Sequence, residues 1–354
     1  MATQFVPLKV KDIQRETADT VSVAFDIAEH ERAQFAYHPG QYVTLRTTIN
    51  GQEVRRSYSI CSAPHENELR VAIKQVPEGV FSTFANTVLA VGDTLDVMPP
   101  DGHFTIPEGA GENYFGFASG SGITPVISIL KHILAHKPNS TFTLIYGNKN
   151  LSSIIFKEQI DALKNIYMQR LNVVHILSRE HLDVDLHYGR IGTSKCEQLF
   201  EKLFDVSKID AAFICGPEEM TMQVKDYLLQ AGVPSKAVKF ELFGTNLTKK
   251  DIAEKAVSTG PTRKVSIRVD SRTISFDVAE DGENILDAAL KNGADLPYAC
   301  KGGVCCTCRA KVVEGKVRMD VNYALEQDEL DAGFVLTCQA HPISDHVVVD
   351  FDVR

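Results

Sequence analysis

Four of the chain's eight cysteines fall within nine residues, Cys300 to Cys308. The spacing is Cys300-x4-Cys305-x2-Cys308, and one more cysteine, Cys338, follows after 29 residues. This is the ligand pattern of a cluster of two irons and two sulfides. Two irons require four thiolates. One tight loop can supply three, and the fourth has to arrive from a distant strand. The chain is thereby constrained to close residues 300–308 onto residue 338, with the loop backbone near the sulfides, which Gly302 and Gly303 permit. Cys306 lies inside the x2 gap; using it would leave gaps of five and one, so it reads as packing. A four-cysteine zinc site and a redox pair at Cys305 and Cys308 are the competing readings. Zinc sites usually come as two Cys-x2-Cys knuckles, and this stretch has one.

At 354 residues the chain exceeds one ordinary core, and two or three domains are expected. A net charge of −9 argues against nucleic acid, which wants a basic face. Residues 262–354 carry 11 Lys/Arg and 16 Asp/Glu, more than half of that net charge. Such acidity serves solubility or the docking of a basic partner, with Glu326, Asp328 and Glu329 as the residues to test. The opening stretch Met1-Ala-Thr-Gln-Phe-Val-Pro has no apolar signal core, and no apolar run reaches bilayer length. A cytoplasmic protein without membrane insertion is expected. In that reducing compartment, clustered cysteines point to metal rather than to disulfides.

Three stretches differ in rhythm. Residues 5 to about 105 alternate apolar positions over short runs, such as Val21, Val23, Phe25 and Leu69, Val71, Ile73, broken by turns such as Ile49-Asn50-Gly51-Gln52. This predicts a small antiparallel β-barrel. From about residue 113 strands alternate with helices: Tyr114–Ala118, Phe142–Tyr146, Asn172–Leu177, Ala211–Cys215 and Val238–Leu242 read as buried strands, with helical stretches such as Pro125–Ala135, Ile155–Tyr167 and Glu219–Gln230 between them. Alternation of this kind predicts an α/β domain with a parallel sheet. Residues 244–262 are polar and read as a linker. An α+β unit follows, with a hairpin over Val265–Val269 and Thr273–Val278, a helix at Ile285–Asn292 before the cysteine loop, and a closing strand at Val347–Val353.

Two further motifs carry chemistry. Arg56-Ser57-Tyr58-Ser59 lies in the barrel stretch. Arg neutralises a phosphate, Tyr lies against a flat ring, and Ser hydrogen-bonds at its edge: the set suits a flavin. Ala118-Ser-Gly-Ser-Gly-Ile-Thr-Pro125 follows a strand and opens a helix. Gly120 and Gly122 let a pyrophosphate approach, and the helix N-terminus favours its charge. Pro125 stands where the dinucleotide fingerprint has its third Gly. Ser178 and Arg179 at a strand end, with Lys149, suit a ribose 2′-phosphate, whereas a non-phosphorylated ribose favours an acid. His132 and His136 lack the Glu of a zinc-protease helix and read as surface histidines. Cys61 and Cys196 belong to no motif and read as packing.

Ala299-Cys-Lys-Gly-Gly-Val-Cys-Cys-Thr-Cys308, with Leu336-Thr-Cys-Gln339, resembles the plant-type ferredoxin family. The resemblance covers about residues 263–354 and implies a β-grasp fold with a [2Fe–2S] cluster on Cys300, Cys305, Cys308 and Cys338. Residues 1–243 resemble the ferredoxin–NADP reductase superfamily. That resemblance implies FAD, or FMN in its place, on Arg56, Ser57, Tyr58 and Ser59, with Gly79, Ser82 and Thr83 as the second phosphate segment. It places NADPH, with NADH as the alternative, on Gly120, Gly122, Thr124, Pro125, Ser178 and Arg179. The run Cys215-Gly-Pro-Glu-Glu-Met220 matches the superfamily's Cys-Gly-Pro segment. It implies that Cys215, Gly216 and Pro217 line the nicotinamide site and that Thr124 and Cys215 lie near hydride transfer. Glu241 and Phe243 would approach the flavin ring.

The expected division is a FAD-binding barrel over 1–108, an NADP-binding domain over 109–243, a linker over 244–262 and a ferredoxin domain over 263–354. The expected route runs from NADPH to FAD, then to the cluster, then to a redox partner protein. This domain order resembles the reductase components of bacterial phenylacetyl-CoA epoxidase complexes, which feed a diiron oxygenase. Phthalate dioxygenase reductases share the order with FMN. Other oxygenases, acyl desaturases and hybrid-cluster proteins are alternative acceptors, as is a small molecule reduced without any partner. A flavin-free binding module is the remaining class, and the two motifs together argue against it.

Overall fold

The structure is a computed structural model that describes residues 5–243 and 260–353. These fall into two compact units, one of Val6–Val54 and Tyr58–Phe243, the other built mainly from residues 260–353. The linker expected over 244–262 lies largely outside the described residues, and its last residue, Thr262, already opens a strand.

The first unit begins with a six-stranded sheet. Its strands are β1 (Val6–Thr17), β2 (Thr20–Asp26), β3 (Tyr42–Ile49), β4 (Gln52–Ser59), β5 (Leu69–Lys74) and, after helix α1 (Val80–Thr87), β6 (Thr94–Val97). They run in the order β4-β3-β6-β1-β2-β5. The two alternating runs of the sequence face each other directly: Val21 pairs with Ile73, Val23 with Val71 and Phe25 with Leu69. All six are buried in one core, so each cross-strand pair packs as well as bonds. The β3–β4 hairpin turns at Asn50 and Gly51, whose φ values of 52° and 77° are both left-handed. That is the two-residue turn that Asn-Gly adopts at least cost.

A parallel sheet follows. Its elements alternate along the chain as β7 (Asn113–Ser119), α2 (Ile123–His136), β8 (Thr141–Asn148), α3 (Lys157–Ile166), β9 (Leu171–Leu177), α4 (Thr193–Lys202), β10 (Ala211–Gly216), α5 (Glu218–Gln230) and β11 (Val238–Leu242). The strand order is β11-β10-β7-β8-β9. Helices α2 and α3 bury one face of the sheet, and α4 and α5 the other. The chain order reverses between β7 and β10, which opens a crevice at the carboxyl ends of those strands.

The second unit holds β12 (Thr262–Val269), β13 (Arg272–Ala279), α6 (Ile285–Lys291), β14 (Arg309–Glu314), β15 (Val317–Met319), α7 (Gln327–Asp331), β16 (Phe334–Leu336), β17 (Ala340–Pro342) and β18 (His346–Asp350). Its main sheet runs β13-β12-β18-β14-β16. The sheet is mixed, since β12 and β18 are parallel while β12 and β13 form the expected antiparallel hairpin. Ile285, Leu286, Ala288 and Ala289 of α6 pack onto its core. Among the described residues no helix is long and apolar enough to cross a membrane.

Candidate functional site

In the second unit, the loop after α6 carries three of the four motif cysteines, and Cys338 sits between β16 and β17. The sulfurs associate in pairs. The Cys305 thiol lies 3.1 Å from Cys300 Sγ and donates to it. That hydrogen bond, and then those from the Gly302 and Val304 backbone, holds Cys300 below the ordinary thiol range against its burial. In the same way a hydrogen bond from Cys308 holds Cys338 down, helped by the Gln339 side chain and the Gly303 backbone. Gly302 N–H lies 3.3 Å from Cys300 Sγ, and Gln339 Nε2 lies 3.6 Å from Cys338 Sγ. Loop glycines thus aim N–H groups at sulfur, as the sequence suggests. Donors of this kind stabilise thiolates and tune a bound cluster.

The loop is held from both sides. Thr337, fully buried, donates from Oγ1 to Cys308 O at 2.9 Å and ties the third cysteine to the strand end of the fourth. Gln339 Nε2 donates to Lys301 O at 3.0 Å. Lys301 Nζ pairs with Asp287 at 2.6 Å, and Asp287 N–H is capped by Asn284 Oδ1 at 2.8 Å at the start of α6. Cys306 turns away, its thiol donating to Ala324 O at 3.2 Å. Two sulfur pairs in a buried loop lined by N–H donors fit two irons with two thiolates each. Thr337 and Gln339 were within the sequence motif, but their roles as fasteners emerge only from the fold.

Arg56 to Ser59 occupy the end of β4. Arg56 is exposed. The Tyr58 ring is partly buried, tilted 42° against Phe81 at 5.5 Å. Ser59 is buried and donates to Glu241 Oε2 at 3.1 Å, across 182 residues of sequence. Glu241 stands beside Cys215 in the β10–β11 register. Ser59 and Cys215 are thus both neighbours of Glu241. Burial, and then Glu241, pushes the Cys215 thiol well up. Phe243 is 45% exposed. Gly79 precedes α1, and Ser82 Oγ donates to Gly79 O and accepts from Val76 N–H, both at 3.2 Å. Ser82 shapes this loop from within, which leaves backbone N–H groups of the α1 start and the exposed Thr83 as its outward donors.

The nucleotide segments converge on the crevice between β7 and β10. Gly120–Gly122 form a tight turn into α2, and Pro125 is that helix's third residue. A Cβ on Gly122 would stand 2.0 Å from Cys215 O. The two motifs touch backbone to backbone, and only glycine allows it. Tyr146, fully buried, donates to Gly120 O at 2.9 Å, and Thr124 Oγ1 donates to Ser121 O at 3.0 Å. Pro217 caps α5 directly after Gly216. At the ends of β8 and β9, Arg179 N–H bonds Lys149 O at 2.8 Å and Ser178 N–H bonds Asn148 O at 2.9 Å. Both cationic side chains are exposed there. The neighbouring acid, Glu180, is occupied by Leu151 N–H at 2.8 Å. Sequence reasoning missed Lys74: its Nζ, 3.6 Å from Asp19 Oδ2, would lie 3.9 Å from a Cβ on Gly120, an ion-paired cation beside the phosphate turn. Its place on the buried strand β5 gave no sign of that.

Elsewhere the expectations divide. Burial pushes Cys61 and Cys196 up to about 12, as packing residues. Glu326 and Asp328 are exposed, but Glu329 is only 12% exposed and pairs with Arg309. Glu329 is therefore committed within the unit and is withdrawn as a docking charge.

Comparison with known proteins agrees with this arrangement. Residues 7–106 match the oxidoreductase FAD-binding domain, 117–226 the oxidoreductase NAD-binding domain, and 267–342 the 2Fe-2S iron-sulfur cluster binding domain. The chain is 43% identical over 354 residues to a component of the 1,2-phenylacetyl-CoA epoxidase of Escherichia coli (strain K12), covering 99% of both chains. It is 33% identical to the ferredoxin reductase component of 3-ketosteroid-9-alpha-monooxygenase of Rhodococcus rhodochrous, covering 98% of this chain and 97% of that one. The solved structure of phthalate dioxygenase reductase shares the fold, with a TM-score of 0.58, 22% identity and 98% of both chains covered. The chain thus belongs to the family of pyridine-nucleotide flavin iron–sulfur reductases that act as electron-transfer components of oxygenase systems, with FAD-binding, NAD-binding and [2Fe–2S] domains in that order.

Proposed function

We propose that this reductase takes electrons from NADPH and delivers them to a diiron oxygenase of the phenylacetyl-CoA epoxidase kind, in the cytoplasm. The observation that carries the reading is the 43% identity to the Escherichia coli epoxidase component over 99% of both chains. Bound FAD would supply the exchange between a two-electron hydride donor and one-electron carriers.

The chain's own residues then have separable tasks. Arg56 binds flavin phosphate by charge, Tyr58 covers the ring, and Ser59, fixed by Glu241, presents its hydroxyl at the ring edge. Gly79, Ser82 and Thr83 form the second phosphate segment. Gly120, Gly122, Thr124 and Pro125 cradle the nucleotide pyrophosphate at the α2 N-terminus, with Lys74 adding charge. Cys215, Gly216 and Pro217 wall the nicotinamide side. Arg179, Lys149 and Ser178 select the 2′-phosphate, a choice supported by the engagement of Glu180 elsewhere. Cys300, Cys305, Cys308 and Cys338 hold the cluster. The domain limits we assign are 1–108, 109–243 and 263–354, joined by a linker.

Reconstitution tests the whole reading. The reductase mixed with a phenylacetyl-CoA-epoxidising oxygenase should give substrate epoxidation that requires NADPH. Reduction of the oxygenase without product, or product only with a steroid-oxidising partner, would move the protein to another acceptor system. The 33% identity to the 3-ketosteroid component makes that the comparison to run.

A further inference from the structure

His132 and His136 face a third ring that the sequence does not place near them. His65 lies on the short turn Pro64–Glu66 after β4. One ring nitrogen from each of His65, His132 and His136 lies within 4.8 Å of the others. The His132 and His136 rings stack with centroids 4.4 Å apart, and His65 meets His136 edge-on at 5.0 Å. The approach is not left to the histidines alone. Ser128 Oγ on α2 donates to Ser62 O at 2.6 Å, and Lys131 Nζ bonds Cys61 O at 3.2 Å and Glu66 Oε2 at 3.1 Å. These bonds hold the turn against α2.

Two details prepare the rings for a ligand. His136 Nδ1 stands 3.1 Å from His132 O; an N–H donated there fixes the tautomer with its lone pair on Nε2, as backbone carbonyls do for metal-binding histidines. His132 is not the surface residue its sequence suggests. Its Nδ1 is buried with no hydrogen-bond partner, a state for which an ion is one of the standard explanations. Burial, then His136, His65, Lys137 and His38, push its pKa down to about 4. Lys131 and Lys137 oppose a cation here, and Glu66 favours one.

We propose that His65, His132 and His136 form a site for a divalent transition-metal ion of the imidazole-binding kind, such as Zn²⁺ or Ni²⁺, which clips the turn after β4 onto helix α2. Imidazole suits these ions over Mg²⁺ or Ca²⁺. Nitrogens on one tetrahedral Zn²⁺ stand roughly 3.4 Å apart, so the rings close slightly on binding. His65 and His136 are exposed and have room to do so.

The test uses tag-free, full-length holoprotein with flavin and cluster in place. Calorimetric titration with Ni²⁺ at about pH 7.5, above the ordinary imidazole range, with cluster absorbance followed in parallel, is expected to show one ion per chain and unchanged cluster colour. His65→Gln and His136→Gln should each weaken binding at least tenfold. His30→Gln, whose side chain is 82% exposed and remote in sequence, should leave it unchanged. Zn²⁺ should raise the melting temperature of the parent protein but not of the H65Q/H136Q double variant. The proposal falls if the parent takes up no stoichiometric ion, if H65Q and H136Q bind as tightly as the parent, or if uptake tracks bleaching of the cluster.

Discussion

The two cofactor regions gather their residues in opposite ways. The cluster loop takes three sulfurs from nine consecutive residues and fastens them with short-range donors such as Gly302 N–H. The flavin and nucleotide region draws Ser59, Lys74, Gly122, Cys215 and Glu241 from five separate segments and joins them by contacts such as Ser59 to Glu241. A local site tolerates shifts elsewhere in its domain but fails outright when one ligand is lost. A dispersed site depends on the backbone spacing between its segments.

The largest expected effect breaks the local site alone. Cys308→Ser or Cys338→Ser should abolish the visible cluster bands and lower electron delivery to a protein acceptor by roughly two orders of magnitude. NADPH-driven reduction of ferricyanide, which draws on the flavin, should stay within about twofold. Parallel loss of both activities would mean that the two regions are not separable as described.

Gly122→Val attacks the dispersed region where two of its segments touch backbone to backbone. The added Cβ would sit 2.0 Å from Cys215 O, so backbone must move. A displacement on the order of 1 Å at a reacting pair costs roughly 10²-fold in rate. Single-turnover reduction of the flavin by NADPH should slow accordingly, while the cluster spectrum is unchanged.

A smaller effect probes nucleotide choice. If Arg179 holds the 2′-phosphate as proposed, Arg179→Ala removes a charged contact worth roughly 1.5–3 kcal/mol, so kcat/KM for NADPH should fall roughly 10–100-fold. The value for NADH should change less than about twofold, since NADH has no 2′-phosphate for Arg179 to bind. Equal losses with both nucleotides would assign Arg179 a structural role.

The same contrast explains what could be read from the sequence. The cysteine spacing is a local geometric requirement, and apolar runs mark β7, β8 and β10 because central parallel strands are buried on both faces, whereas the edge strands β9 and β11, also expected to be buried, are only partly so. The pairing of Val21, Val23 and Phe25 with Ile73, Val71 and Leu69 is likewise written in both partners. Lys74 beside Gly120, Glu329 paired with Arg309, and His65 against His132 and His136 are written in neither partner alone. Each depends on how segments tens of residues apart are packed. A polar side chain carries no mark of which distant group it will meet.

The finest test uses one chemical change in both regions. Thr337 and Thr124 are 0% and 2% exposed, and each donates its hydroxyl to a backbone carbonyl, Thr337 to Cys308 O at 2.9 Å and Thr124 to Ser121 O at 3.0 Å. Val replaces Thr with nearly the same shape, so each substitution removes one hydrogen bond, about 1 kcal/mol. If the regions are independent, Thr337→Val should hasten thermal bleaching of the cluster and leave the KM for NADPH alone. Thr124→Val should raise that KM several-fold without touching the bleaching rate. Both substitutions combined should then add in free energy, because residues without shared partners rarely couple. A coupling above about 0.5 kcal/mol in the double variant would show that strain passes between the cluster loop and the nucleotide turn.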